Sequence, residues 1–281
     1  AEMSEGALVV DLGESMPPLM VRKSDGASTY HTRDLAAAIY RMKTYKPEKV
    51  IYVVGAPQRL HFQQLFATLE KMGYPKEKFM HIDFGHFTGM STRKGNIIFL
   101  EEVLDKAIEL AKKIIKEKNP QLKNKDAIAK MVGLGAVIFS DLSTDRVRDV
   151  VFDWNKIMSF EGETGPYLQY AHARCSALLK KAGKLSKANA SLLTSDPEIN
   201  LIKQLARFPQ VVQDAASLYK PHTIAHYLLK VAALFNAFYE QCPILKEQEE
   251  VKQARLLIVG ATKTILVTGL NLLTIKAPEE M

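Results

Sequence analysis

The sequence predicts an α/β unit followed by an all-α region, and three observations carry that reading. Residues 50–54, Val-Ile-Tyr-Val-Val, form an unbroken apolar run ending at Gly55. A helical pattern over residues 60–72 follows and stops at Gly73, and residues 79–82 supply a second short strand. Together these make one strand–helix–strand unit, for which a right-handed crossover is expected. Beyond residue 99 the apolar residues recur only at helical spacing.

Taken in order, residues 8–10 and 19–21 read as a peripheral β-hairpin. Residues 29–32 lead into a helix from about Asp34 to Lys43. The run at 50–54 lacks polar alternation, which fits a strand buried on both faces of a parallel sheet. Leu100, Val103, Leu104, Ala107, Ile108, Ala111, Ile114 and Ile115 mark an amphipathic helix, and residues 127–139 mark an apolar, buried one. Further helices are expected over 165–181, 199–217, 224–239 and 254–272, with 184–196 as the one long loop. Pro221, with Thr223 as N-cap, and Pro243 punctuate them. No internal repeat, low-complexity tract or long heptad run occurs.

Composition narrows the class. The 281 residues are enough for one to three domains, 47% are hydrophobic and 25% charged, and the net charge is +7. A basic balance points to a polyanionic partner. The two cysteines, Cys175 and Cys242, lie in apolar helical contexts, which argues against a disulfide framework and for a reducing compartment. Apolar runs fall short of the roughly 18 residues a membrane helix needs, and no signal segment opens the chain.

The most informative stretch is residues 83–96, Asp-Phe-Gly-His-Phe-Thr-Gly-Met-Ser-Thr-Arg-Lys-Gly-Asn. Glycines allow a ligand close to the backbone, and Ser91, Thr92, Arg93 and Lys94 supply hydroxyls and cations suited to a polyphosphate. By itself the stretch also fits a solvated turn. His81, Asp83 and His86 do not make a convincing metal set, because they straddle a strand end and a loop without a fourth ligand.

Ser91, Thr92, Arg93 and Lys94, with Met90 before and Gly95 after, resemble the Lys-Met-Ser-Lys-Ser loop of class I aminoacyl-tRNA synthetases in its arginyl form. Residues 24–37, 51–66 and 153–174 resemble further segments of arginyl-tRNA synthetases, in the right order and spacing, so the resemblance covers nearly the whole chain. It implies the second half of a Rossmann-like catalytic domain over 1–96, a helical connecting region over 97–165, and an α-helical anticodon-binding domain of DALR type over 166–281. The His-Ile-Gly-His motif of the class is missing and the chain opens at Ala1, so a fragment is expected, itself inactive in arginine activation.

The resemblance also implies roles. Tyr30, Asp34 and Gln58 would face the substrate L-arginine; a guanidinium fork selects a carboxylate such as Asp34, although Asp34 taken alone reads as a helix N-cap. His61, His86, Gly89 and Met90 would lie at ATP, which would bring Mg2+ held mostly by phosphate and water, with no protein-bound metal. Ser91, Thr92, Arg93 and Lys94 would act in catalysis; Gly89 and Thr92 replace the two motif lysines, leaving the charge to Arg93 and Lys94 or to a lysine near the missing His-Ile-Gly-His motif. In the helical part, acid-free basic segments mark an RNA-facing surface for tRNA(Arg), with Tyr167, Gln169, Tyr170, Arg174, Lys180, Lys181 and Arg255 as contacts. A cytoplasmic monomer without a membrane partner is expected. The rival reading is a tRNA-binding module without catalysis.

Overall fold

The computed structural model describes residues 1–88, 99–151, 153–159, 161–184, 186 and 188–281. Its chain forms two compact units, Ala1–His86 with Val147–Asp149, and Phe87–Arg146 with Val150–Met281.

In the first unit, β1 (Glu2–Ser4), β2 (Ala7–Val10) and β3 (Leu19–Arg22) form an antiparallel sheet in that order. The expected hairpin is present but not peripheral. Leu19 is fully buried and joins the core of the unit with Leu35, Phe62 and Leu65, because β3 packs against the next helix. That helix, α1, spans Tyr30–Tyr45, four residues earlier than expected. Its cap is Thr29, whose hydroxyl accepts from the Thr32 N–H and donates to the Met20 carbonyl at 2.7 Å. The Thr32 hydroxyl donates to the Val21 carbonyl. Two threonines thus bolt the helix start onto β3, and Asp34 lies in the second turn, not at the cap.

The strand–helix–strand unit forms as predicted: β4 (Val50–Gly55), a 3-10 turn (Ala56–Gln58), α2 (Arg59–Lys71), then β5 (Phe79–Phe84) parallel to β4. Gly73 adopts φ +87° and lets the Tyr74 N–H return to the Leu69 carbonyl, which closes the helix end. The double-faced burial of β4 does not hold. Val50, Tyr52 and Val54 join the core, whereas Ile51 is 44% and Val53 66% exposed, because α1 and α2 supply side chains to one face only.

Among its described residues the second unit is helical save for loops and a two-residue parallel ladder between β6 (Phe87–Thr88) and β7 (Val150–Val151), too short to leave a periodic signature. Its helices are α3 (Leu100–Lys118), α4 (Lys125–Leu142), α5 (Trp154–Ile157), α6 (Gly165–Ala182), α7 (Asp196–Ala206), α8 (Phe208–Leu218), α9 (His222–Gln241) and α10 (Glu249–Leu272). The helix expected over 199–217 is two. Pro209 has no N–H to give the Leu205 carbonyl, so the helix breaks. The buried Tyr227 hydroxyl fills the gap, donating to the carbonyls of Gln204 (2.9 Å) and Leu205 (3.3 Å), and burial pushes its pKa up to about 12. The N-cap of α9 is Pro221; Thr223 lies inside the helix.

Two core clusters fill this unit. One joins α3 and α4 through Ala107, Ala111, Val132 and Ala136; the larger gathers α6 to α10 around Phe235, Phe238, Leu228 and Leu266. By length and composition α10 could cross a membrane, but its Ala254, Leu256, Val259, Leu266 and Leu270 are fully buried against neighbouring helices. Both cysteines are buried and free, and burial pushes the Cys175 thiol up to about 12. Glu198, 1% exposed, lies in a capping box at the start of α7 and accepts from Arg255 of α10 at 2.7 Å.

Two predictions follow from this packing. A Cβ on Gly133 would stand 2.7 Å from the main chain of α3 at Ala107 and Ile108, whereas Gly260 has nothing within 4 Å. Gly133→Ala should therefore cost about 1–3 kcal/mol by overpacking, and Gly260→Ala should add up to about 1 kcal/mol through helix propensity. Thermal melts of both variants check the opposite signs.

The second concerns Glu198. Burial pushes its pKa up, but hydrogen bonds from Arg255 and Ser195 outweigh that and hold it below the ordinary value. A depressed carboxyl pKa stabilises the fold above the unfolded-state value, and the gain is lost as pH falls through the folded-state value. Melting temperature should drop on acidification below the usual glutamate range, and Glu198→Gln should flatten that drop. Arg255→Ala, which strands a buried carboxylate, should cost roughly 3–5 kcal/mol.

Candidate functional site

In the first unit the carboxyl ends of β4 and β5 lie side by side, Val54 opposite Asp83 and Gly55 opposite Phe84. Loops at such ends are where open α/β sheets bind ligands. Gln58, exposed, occupies the 3-10 turn leaving β4. Arg59 begins α2 and donates through Nε to Asp83 at 3.1 Å. His81 places Nε2 2.9 Å from the Val54 carbonyl and stacks on Phe62, a role inside the sheet. Gly85 is required as glycine: a Cβ there would run into the Arg148 carbonyl. Beside it, the His86 N–H donates to Asp149 at 2.8 Å, a partner 63 residues away that the sequence did not reveal.

Three of the predicted residues come together. Tyr30 and Asp34 are one helical turn apart on α1, and His61 stands in the first turn of α2. His61 Nε2 lies 2.8 Å from Asp34 Oδ2, and the Tyr30 and His61 ring centroids are 4.9 Å apart. His31 stacks on Tyr30 at 4.0 Å. Tyr30 is 53% exposed and the Asp34 side chain 43%, so both remain open to a ligand, whereas His61 is only 6% exposed. Gly89, Met90, Ser91, Thr92, Arg93 and Lys94 lie outside the described residues. Among the described residues, no three of His, Cys, Asp or Glu gather as a metal-binding group.

In the second unit, α6 and α9 build an aromatic and cationic pocket. The Arg174 guanidinium lies 4.9 Å from the ring centroids of both Tyr170 and Tyr239. It donates to Asn236 Oδ1 at 2.9 Å and to the Tyr170 hydroxyl at 3.3 Å, while Asn236 donates to the Tyr167 hydroxyl at 2.9 Å. Met281 joins the walls of this groove, and Lys180, Lys181 and Lys263 rim its far side. Tyr239, Asn236 and Met281 were not anticipated. The 167–170–174 spacing places Tyr167, Tyr170 and Arg174 on one face of α6, and the 236–239 spacing places Asn236 and Tyr239 on one face of α9, a signal the sequence carried.

Two predicted RNA contacts do not stand. Gln169 is fully buried, and its Nε2 donates to the carbonyls of Lys276 (2.7 Å) and Met131 (3.0 Å). Arg255 is held by Glu198 at 2.7 Å and Glu247 at 3.1 Å, with 13% of its side chain exposed. The acid-free segments are therefore not acid-free in space. Lys180 pairs with Glu280 at 2.8 Å, Lys263 with Glu279 at 2.7 Å, and Lys252 with Glu249 at 3.0 Å. The glutamates at 279 and 280 belong to a C-terminal strap. The strap is held by Gln169, by buried His172 at the Pro278 carbonyl (2.9 Å), and by Asn119 at the Met281 carbonyl (3.2 Å). Burial lowers the His172 pKa, against the opposing pull of the Pro278 carbonyl and Glu279.

Comparison with known proteins bears on both units. Residues 1–154 match the family model "tRNA synthetases class I (R), catalytic domain", and residues 168–281 match the "DALR anticodon binding domain". The arginine–tRNA ligase of Alkaliphilus metalliredigens is 49% identical over 99% of this chain and 50% of its own length; that of Halothermothrix orenii is 48% identical over the same shares. The Thermus thermophilus arginyl-tRNA synthetase structure superposes with a TM-score of 0.92 at 33% identity, covering 98% of this chain and 54% of that one. The Plasmodium falciparum enzyme gives 0.86 at 26% identity, covering 100% of this chain and 50% of that one. The chain thus spans about half the length of the relatives it matches. With a class I catalytic match passing into a helical DALR match in the order the α/β and all-α units occupy, the chain belongs to the arginyl-tRNA synthetase family.

Proposed function

We propose that these residues serve ATP-dependent activation of L-arginine and its transfer to tRNA(Arg) in the cytoplasm. Residues 1–96 would carry the arginine pocket and phosphate loop, 97–165 a connecting region, and 166–281 the anticodon-binding surface. The arginine carboxylate would attack the α-phosphate of ATP, forming arginyl-adenylate and releasing pyrophosphate. The terminal ribose hydroxyl of the tRNA would then take the arginyl group. Mg2+ would accompany ATP on its phosphates.

The observation that carries the first step is the half-exposed Asp34 carboxylate beside Tyr30, with Gln58 three residues before His61. A carboxylate matches a guanidinium by two parallel charge-assisted bonds, and an adjacent ring packs against the planar cation. His86 and residues 89–94 would meet the phosphates, where catalysis is mostly positioning and charge stabilisation. For the RNA, the Tyr170–Arg174–Tyr239 pocket supports the reading. Exposed rings and a guanidinium plane are what unstacked bases pack on, with Tyr167 behind them and Lys181 available for phosphate.

Asp34→Asn, in the synthetase at its full native length, should raise the KM for arginine roughly tenfold to several hundredfold with the KM for ATP nearly unchanged, since a hydrogen bond to a charged group is worth about 1.5–3 kcal/mol. ATP–pyrophosphate exchange with tRNA present measures both. A wild-type arginine KM would remove Asp34 from the pocket. Because Thr29 caps α1, the melting temperature should hardly move.

RNA binding separates two kinds of contact. Arg174→Ala should weaken tRNA(Arg) binding by about 1–3 kcal/mol through lost stacking, with a salt slope changed by less than one. Lys181→Ala should weaken binding less and reduce the slope of log K against log salt by about one. Equal effects of the two variants on the slope would argue against a base pocket at Arg174.

A further inference from the structure

The proposed pocket needs Asp34 in one orientation, and α1 alone does not provide it. An aspartate in the second turn of a helix, with 43% of its side chain exposed, is free to swing among rotamers. A guanidinium fork rewards a carboxylate only when both oxygens present themselves in its plane.

The structure supplies a fixed partner. His61 Nε2 lies 2.8 Å from Asp34 Oδ2. The ring has little freedom: it is 6% exposed, with the rings of His31, Tyr30 and Phe62 at 4.7, 4.9 and 4.9 Å. An ionised carboxylate only accepts, so Nε2 carries the hydrogen. The Nδ1 atom is buried and without a hydrogen-bond partner among the described residues. Burying an unsatisfied nitrogen is costly, and an apolar ring would fill the same space without that cost. The position therefore has a use for the Nε2–H that packing does not explain.

We infer that His61 is a positioning residue for arginine recognition, holding Asp34 by Oδ2 so that Oδ1 and the outer lone pair of Oδ2 face the guanidinium. This replaces the role at ATP that the sequence implied for His61, and it rests on the reading of Asp34 as the guanidinium's partner. Tyr30, one turn before Asp34 and packed on the same ring, is ordered by the same contact.

The test uses the synthetase at its full native length, assayed by tRNA-dependent ATP–pyrophosphate exchange. His61→Phe keeps the ring packing and removes the donor. His61→Gln can return an N–H near the position of Nε2. His61→Phe should raise the arginine KM about tenfold, with kcat and the ATP KM within twofold and the melting temperature within a few degrees. His61→Gln should recover most of the loss. The effects of Asp34→Asn and His61→Phe should not add, the double variant being no worse than Asp34→Asn. A wild-type arginine KM in His61→Phe, a rise confined to the ATP KM, or additive effects would overturn the positioning role alone. An Asp34→Asn enzyme with unchanged arginine KM would overturn the pocket reading and this inference with it.

Discussion

The side-chain amide of Gln169 is the contact on which the helical unit turns. One nitrogen joins three elements: it sits on α6, accepts no compromise in burial, and donates to carbonyls of α4 and of the C-terminal strap. Gly135 and Gly165 exist to make room for it and for the close approach of α4 to α6; a Cβ on Gly135 would stand 2.7 Å from the amide, and one on Gly165 2.6 Å from the Gly135 carbonyl. Once these helices are pinned together, the strap has a groove to lie in. Once the strap lies there, Met281 reaches the pocket formed by Tyr170 and Arg174. The shape of the proposed pocket thus descends from a buried polar contact.

Much of the architecture was legible because it follows from period and punctuation. The apolar run at 50–54, the helix ending at Gly73 and the spacing of Leu100 to Ile115 each carry their own physical cause within a few neighbours. The failures lie where a distant partner decides. The start of α1 is set by hydrogen bonds from Thr29 and Thr32 to β3. The break at Pro209 is tolerable because Tyr227 comes from another helix to satisfy the freed carbonyls. The exposed face of β4 reflects which helices pack on it, not what β4 is made of.

The candidate sites show the same division. Tyr30 and Asp34 were recognisable as a pair, but the joining of His61 to them was not: a hydrogen bond across 27 positions leaves no mark on either segment. Charge was the most misleading guide. Arg255 and Lys263 stand in a stretch without nearby acids, and the fold brings Glu198, Glu247 and Glu279 to them. A linear count of charge cannot tell a cation facing solvent from one holding two helices together. The spacing of Tyr167, Tyr170 and Arg174 on α6 and of Asn236 and Tyr239 on α9 went unused, although neighbours on one helical face are fixed by the helix itself.

The concealment of both native thiols has a practical consequence. Cys175 is fully buried, with its ionisation displaced to about 12, and Cys242 is 4% exposed. Thiolate is the form that reacts with maleimides, so at neutral pH the folded chain offers them almost no target. A cysteine introduced at an exposed position, Lys181 for one, would take a fluorophore selectively without first stripping the native sulfurs. The fold thereby comes ready for distance measurements that test the proposed RNA contacts.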